Sequence, residues 1–135
     1  MIILHKTFTF CAAHRYWNED LSEAENHQAF GEDVRLHGHN YTLTISVTGE
    51  VDPATGFIVD LGHLKKVVNT RVIQRLDHSR IDTDIDWFAD KQPSTENLVV
   101  WIWEQIAPAL KSGKLHRVRL VETPTIHTDY YGPTE

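Results

Sequence analysis

The sequence predicts an α+β fold, with two helices covering one face of a small, largely antiparallel sheet. Three observations predict it. Segments that alternate apolar and polar residues with period 2 stand toward both ends of the chain. Two segments with helical spacing of their apolar residues lie between them. No linker, repeat or low-complexity run interrupts the 135 residues, and a 41% hydrophobic content suits one compact domain over 1–135 with a real core.

Taken in order, residues 2–14, "IILHKTFTFCAAH", form a first strand rich in β-branched and aromatic residues. Residues 15–35 are polar and irregular, a loop long enough to suggest a function. Over 36–48, His37, His39, Tyr41, Leu43, Ile45 and Val47 share one parity, while Gly38, Asn40, Thr42, Thr44, Ser46 and Thr48 share the other. That is a strand with one buried face. The turn "GEVDPATG" leads to a third short strand, "FIVD", completing a hairpin. Asp60 is placed to N-cap a helix whose stripe is Leu61, Leu64, Val68, Val72 and Leu76. Residues 79–92 read as a loop. "PSTEN" opens a second helix, with Thr95 as its N-cap and Leu98, Trp101, Ile102, Ile106 and Leu110 inward. Residues 115–123 are a last strand, and the tail "IHTDYYG" is a candidate edge strand. Four short strands leave open edges, which favours closure by oligomerisation.

Composition excludes several classes of function. The net charge is −6, and no run of Lys or Arg exists to meet nucleic acid or an anionic membrane. A single cysteine, Cys11, excludes an intrachain disulfide framework and fits a reducing compartment. The opening "MIIL" is too short for a signal peptide core and nothing approaches a membrane span, so cytoplasm is the expected location. Histidine is the unusual component, with nine in the chain against one methionine.

Those histidines raise the question of chemistry. Residues i and i+2 on a strand lie about 6.6 Å apart on one face, so the rings of His37 and His39 can converge on one ion. His14 shares parity with Phe8, Phe10 and Ala12 and also points to the apolar side. Three neutral imidazoles with one position open is the pattern of catalytic zinc. Hydrogen-bonded core histidines, or a surface pair at a strand end, serve the same pattern. For H-x-H alone that plainer reading leads, and His14 brings the two level. In "LHRVRLVET", Glu122 shares its face with Val118 and Leu120, and a buried carboxylate needs a partner such as a fork of two N–H donors; a salt bridge at the strand end is the alternative. Asp77 next to His78 can fix a tautomer and raise basicity for proton transfer, or His78 can simply sit well at a helix C-terminus. Cys11 lies three residues from His14, hence on the opposite face, and reads as a small buried hydrophobe.

Over nearly its full length the chain resembles the 6-pyruvoyl-tetrahydropterin synthase and 6-carboxytetrahydropterin synthase family. The stretches that carry the resemblance are "FTFCAAHRYW", "ENHQAFG", "LHGHNY", "VDPATGFIVDL", "RLDH", "PSTENLVVWIW" and "VRLVETP". The resemblance implies the tunnelling fold: two-helix, four-stranded subunits closing into barrels as a homo-oligomer, commonly a hexamer of two trimers. It implies zinc on His14, His37 and His39, and 7,8-dihydroneopterin triphosphate as substrate, in routes to tetrahydrobiopterin or queuosine. Glu122 would anchor the 2-amino and N3–H edge of the pterin, with Thr95 and Glu96 helping to close the pocket. Asp77 and His78 would move protons while triphosphate departs. Arg15 and Arg35 are solvated charges or phosphate contacts.

One departure stands out. Where the family usually carries a cysteine just before its H-x-H motif, this chain reads "FGEDVRLHGH", with Asp33 at the place of the thiol and Glu32 beside it. Three readings follow. A carboxylate serves as base, as in members with a nearby glutamate that release 6-hydroxymethyl-dihydropterin. Or His78 carries the proton transfers alone. Or the protein binds zinc and pterin with little catalysis.

Overall fold

The computed structural model describes residues 1–134. Strand β1 (Ile3–His14) pairs antiparallel with β2 (His37–Thr48) along its whole length, from Ile3 opposite Thr48 to His14 opposite His37. Between them lies helix α1 (Glu23–Phe30), followed by a 3₁₀ turn at Gly31–Val34. The stretch 15–35, expected to be irregular, is therefore partly helical. Its cause is local: Ser22 accepts from the Glu25 N–H, while the Glu25 carboxylate accepts from the Ser22 N–H, a reciprocal capping box.

Helix α2 (Leu61–Val68) starts at Asp60, whose carboxylate accepts from Gly62 N, as expected. It continues through a π-helical turn at Asn69–Ile73 into α3 (Gln74–Leu76). Leu64, Val68, Val72 and Leu76 are buried, so the stripe survives the π turn; Leu61 is exposed. The expected third strand, "FIVD", is not one: residues 57–60 are irregular, with bends at Ile58 and Val59. Along Thr42–Thr48, β2 is already paired on both sides, leaving "FIVD" no free edge. Its apolar Ile58 and Val59 are buried instead.

Residues 79–92, expected as loop, contain β3 (Ser79–Arg80), α4 (Ile81–Asp84) and a 3₁₀ turn at Asp86–Phe88. Strand β3 pairs in parallel with Ala12 and Ala13. Helix α5 (Thr95–Ile106) is capped by Ser94, not by the expected Thr95: the Ser94 hydroxyl accepts from Asn97 N at 3.2 Å. Strands β4 (Lys114–Thr123) and β5 (Ile126–Tyr130) complete a sheet ordered β3-β1-β2-β4-β5. Five strands thus replace the expected four, with β5 at the edge that the tail could supply. The fold is α+β, with a mostly antiparallel sheet.

Phe8, Phe10 and Ala12 of β1, Tyr41, Leu43, Ile45 and Val47 of β2, and Val118 and Leu120 of β4 face the helices and are buried with Leu98, Trp101, Ile102 and Ile106 of α5. Cys11 is exposed, not a buried hydrophobe. Parity puts it on the other sheet face, where no helix covers it. Glycine is required at Gly113 (φ 72°), because a Cβ there would stand 2.7 Å from a Val47 methyl carbon at the start of β4.

Candidate functional site

The register of β1 and β2 brings three imidazoles together at one end of the sheet. His14 stands opposite His37, and Ala12 opposite His39. One ring nitrogen from each of His14, His37 and His39 lies within 4.8 Å of the others. Gly38, between the two β2 histidines, lets the strands close here, since a Cβ would sit 3.3 Å from the Ala12 carbonyl oxygen.

Two of the tautomers are fixed by the backbone. His14 Nδ1 donates to the Pro93 carbonyl at 2.8 Å, and His37 Nδ1 donates to the Arg35 carbonyl at 2.7 Å. A carbonyl only accepts, so the proton sits on Nδ1 and the lone pair on Nε2. The Nε2 atoms of His14 and His39 are buried without a hydrogen-bond partner among the described residues. Burial, only partly opposed by the Pro93 contact, pushes the His14 pKa down and keeps that ring neutral. Imidazoles with outward N–H groups held on carbonyls and ring nitrogens left over inward match what a divalent metal requires. The donor set suits zinc.

Acidic groups surround the triad. Glu122 Oε1 lies 3.6 Å from His39 Nε2, and Asp33 Oδ1 lies 3.8 Å from His37 Nε2. The Asp33 carbonyl accepts from Tyr16 N at 2.9 Å, tying the 3₁₀ turn to the exit of β1. Burial raises the Glu122 pKa, His39 opposes the shift, and Asp33 reinforces it. Tyr16 packs against the His14 ring and Tyr41 against the His39 ring. Burial pushes both phenol pKa values far up, with the Glu122 charge adding to each.

Thr95 is buried at the start of α5; its hydroxyl donates to Glu96 Oε1 at 2.9 Å and meets the Thr128 hydroxyl at 2.9 Å. Glu96 lies within electrostatic reach of Tyr16 and Glu122. Pro93, just before this helix, supplies the carbonyl that holds His14.

Other residues singled out in the sequence stand apart. Glu32 faces solvent, 3.5 Å from Arg35, with both side chains about four-fifths exposed. Arg15 lies with its guanidinium over the Trp17 ring, 4.7 Å from the centroid. Asp77 and His78 sit on the edge of β1 that faces away from β2. Asp77 Oδ1 accepts from Cys11 N at 2.9 Å, and His78 N donates to the Cys11 carbonyl at 2.6 Å. The His78 ring meets Asp77 Oδ2 at 3.0 Å, and its side chain is 84% exposed. His78 has φ 64°, the left-handed conformation that turns the chain from α3 into β3. The Cys11 N–H holds the Asp77 carboxyl below its ordinary pKa.

Sequence reasoning missed Tyr16, Tyr41 and the Pro93 carbonyl. Parity put Tyr41 on the histidine face, but nothing local marked its hydroxyl as lacking a partner. The Pro93–His14 contact spans 79 residues and leaves no local signal.

The sequence profile of the 6-pyruvoyl tetrahydropterin synthase family matches residues 3–133. A 6-pyruvoyl tetrahydrobiopterin synthase from Drosophila melanogaster is 41% identical over 128 residues, spanning 93% of this chain and 76% of its own. The solved 6-pyruvoyl tetrahydropterin synthase of Caenorhabditis elegans superposes with a TM-score of 0.92 at 33% identity, covering 98% of this chain and 96% of that one. A dihydroneopterin monophosphate aldolase from Pyrococcus furiosus is 39% identical over 88 residues, 64% of this chain and 70% of its own.

Proposed function

The chain belongs to the 6-pyruvoyl tetrahydropterin synthase family, and from that premise we propose that it is a zinc-dependent lyase acting on 7,8-dihydroneopterin triphosphate. The observation that carries the zinc is the pair of orphaned Nε2 atoms on His14 and His39, with the proton of His14 held on the Pro93 carbonyl. His14, His37 and His39 would hold the ion. Bound there, zinc supplies Lewis acidity toward the hydroxyls of the substrate side chain.

The rest falls to the protein's own groups. Glu122 accepts from the 2-amino and N3–H donors of the pterin and fixes the ring beside the triad. Thr95 and Glu96 bound the pocket at the N-terminal end of α5. Asp33, on the triad side of its turn, is the carboxylate placed to take a proton from carbon. Glu32, paired with Arg35 in solvent, has the weaker claim to that role. Asp77 orients His78, which exchanges protons while triphosphate leaves. Because His78 is exposed at a strand edge, the proposal includes a homo-oligomer, a hexamer of two trimers, whose neighbouring subunit meets this edge. A monomeric mass by light scattering at micromolar protein would remove that part. A cytoplasmic location belongs to the same proposal; among the described residues, no helix is long and apolar enough to cross a membrane.

A second reading has its own support. A carboxylate stands in the thiol's place, and the aldolase relative matches over 88 residues. Both favour cleavage of the side chain to 6-hydroxymethyl-dihydropterin. Incubating the zinc-loaded protein with 7,8-dihydroneopterin triphosphate and identifying the product separates the readings. A 6-pyruvoyl or 6-carboxy product selects elimination, a 6-hydroxymethyl product selects cleavage, and zinc and pterin binding without turnover selects a binding protein.

A further inference from the structure

Tyr41 is 1% exposed, and its hydroxyl has no hydrogen-bond partner among the described residues. The ring is clamped. It stacks on Phe10 with centroids 4.8 Å apart and planes 14° from parallel, and it meets the His39 ring at 5.7 Å and 76°. So held, the hydroxyl has little freedom to search for a partner. Packing does not call for it either, since a phenylalanine ring would fill the same stack. A buried O–H that the protein leaves unsatisfied is therefore waiting for an acceptor from outside the chain.

Its neighbour says which kind. Thr42 pairs with Val121 across β2 and β4, so the next step of that register sets Tyr41 beside Glu122 on the same face. The hydroxyl also lies within electrostatic reach of the Glu122 carboxylate. A group that only accepts thus stands next to one that donates. Together they are complementary to a ligand edge that offers two N–H donors and then an oxygen acceptor.

We propose that Tyr41 is a specificity-determining residue that donates its O–H to the 4-oxo oxygen of a 2-amino-4-oxo pteridine whose 2-amino and N3–H groups are taken by Glu122. The proposal rests on the pterin reading of the site and adds a residue and an atom to it. Tyr41 would select the 4-oxo ring, while Glu122 selects the two donors.

The test is calorimetric binding of neopterin and of its 4-thioxo analogue to the zinc-loaded protein, wild type and Tyr41→Phe. The analogue keeps both N–H donors and replaces the oxygen with a much weaker acceptor. Wild type is expected to prefer neopterin. Tyr41→Phe is expected to weaken neopterin binding roughly three- to tenfold and to leave the analogue within about twofold, so that the preference collapses. Unchanged neopterin affinity in Tyr41→Phe, or an equal loss for both ligands, overturns the proposal, because the hydroxyl would then be satisfied by trapped water or serve packing alone. Should the variant fail to fold, the wild-type preference decides: equal affinity for the two ligands overturns it. If wild type binds neither, the pterin reading itself falls and this proposal with it. Neopterin binding that survives in Tyr41→Phe with its preference intact removes only the role of Tyr41.

Discussion

Two histidine sites in this chain invite comparison. The first, His14, His37 and His39, lies at the paired ends of β1 and β2, with His14 fully buried. The second, His78 with Asp77, sits on the open edge of β1 with its ring largely in solvent. Both are anchored by backbone groups, but in opposite senses. At the triad, side-chain N–H groups of His14 and His37 are tied to carbonyls, and what remains inward is a set of lone pairs. At the edge, a carboxylate and a main-chain N–H are tied to Cys11, and what remains outward is an imidazole in solvent beside Asp77. Burial suits the triad to the proposed role of metal ligand, and exposure suits His78 to the proposed role of proton carrier. The triad is assembled within one chain, whereas the dyad presents the His78 ring to whatever lies beyond the strand edge.

Removing histidines from each site breaks the comparison most directly. His37→Ala and His39→Ala are expected to take zinc from about one per subunit to near zero, while His78→Ala keeps it. Elemental analysis of the three purified variants decides this, and full occupancy in both triad variants would end the metal reading.

Turnover should show the next largest effect. His78→Ala is expected to lower product formation on the order of 10²-fold or more. Asp33→Asn should slow it as well, while Glu32→Gln, out in solvent, should leave it near wild type. Rates from product chromatography on dihydroneopterin triphosphate provide the check. If neither acid variant slows turnover while His78→Ala abolishes it, the edge site carries the proton transfers alone.

Glu122 belongs to the triad side of the comparison, 3.6 Å from His39 Nε2. Glu122→Gln turns one acceptor oxygen into a donor, which should cost about 1–3 kcal/mol of neopterin binding. Calorimetry showing unchanged affinity would contradict the anchoring role.

The smallest effects are in stability, and the two sites differ in their pH windows. The His14 pKa is lowered in the folded state, so the unfolded chain binds the proton more readily. Its contribution is complete above the ordinary histidine pKa near 6.5 and is lost progressively as pH falls below it toward the lowered folded value. The Asp77 pKa is also lowered, and its contribution is present above the ordinary carboxylate value near 3.9, disappearing only as pH falls below it. In metal-free protein, melting temperature should therefore begin to fall between about pH 7 and 5.5. The difference between wild type and Asp77→Asn should persist through that range and close toward about pH 3. A Tm gap for Asp77→Asn that vanishes already at pH 5.5 would show that the edge carboxylate is not held as described.

Much of this was legible along the chain because strand side chains alternate. Parity alone put His14, His37, His39 and Glu122 on the helix-facing side, and Asp60 announced the start of α2. Parity failed where coverage, not direction, mattered: Cys11 was correctly set opposite His14, yet whether that face is covered depends on elements far away in sequence. The "FIVD" segment has a strand's composition but no strand, because β1 and β4 had taken both edges of β2. Thr95 and Ser94 are both good caps; the Ser94 hydroxyl accepts from Asn97 N, while the Thr95 hydroxyl is engaged with Glu96 and Thr128.

By itself, then, the amino-acid order determined the α+β class, the two long strands that carry the histidines, the inward parity of His14, His37 and His39 and the family to which the chain belongs, since periodicity and motif spacing are local properties. Tertiary structure decided the rest. It brought Pro93 to His14 across 79 residues, turned Asp33 toward the triad and Glu32 away from it, and left the Tyr41 hydroxyl buried without a partner. Those outcomes depend on which distant backbone and side-chain groups share a small volume, and hydrogen-bond partners so far apart in the chain leave no periodic trace in its order.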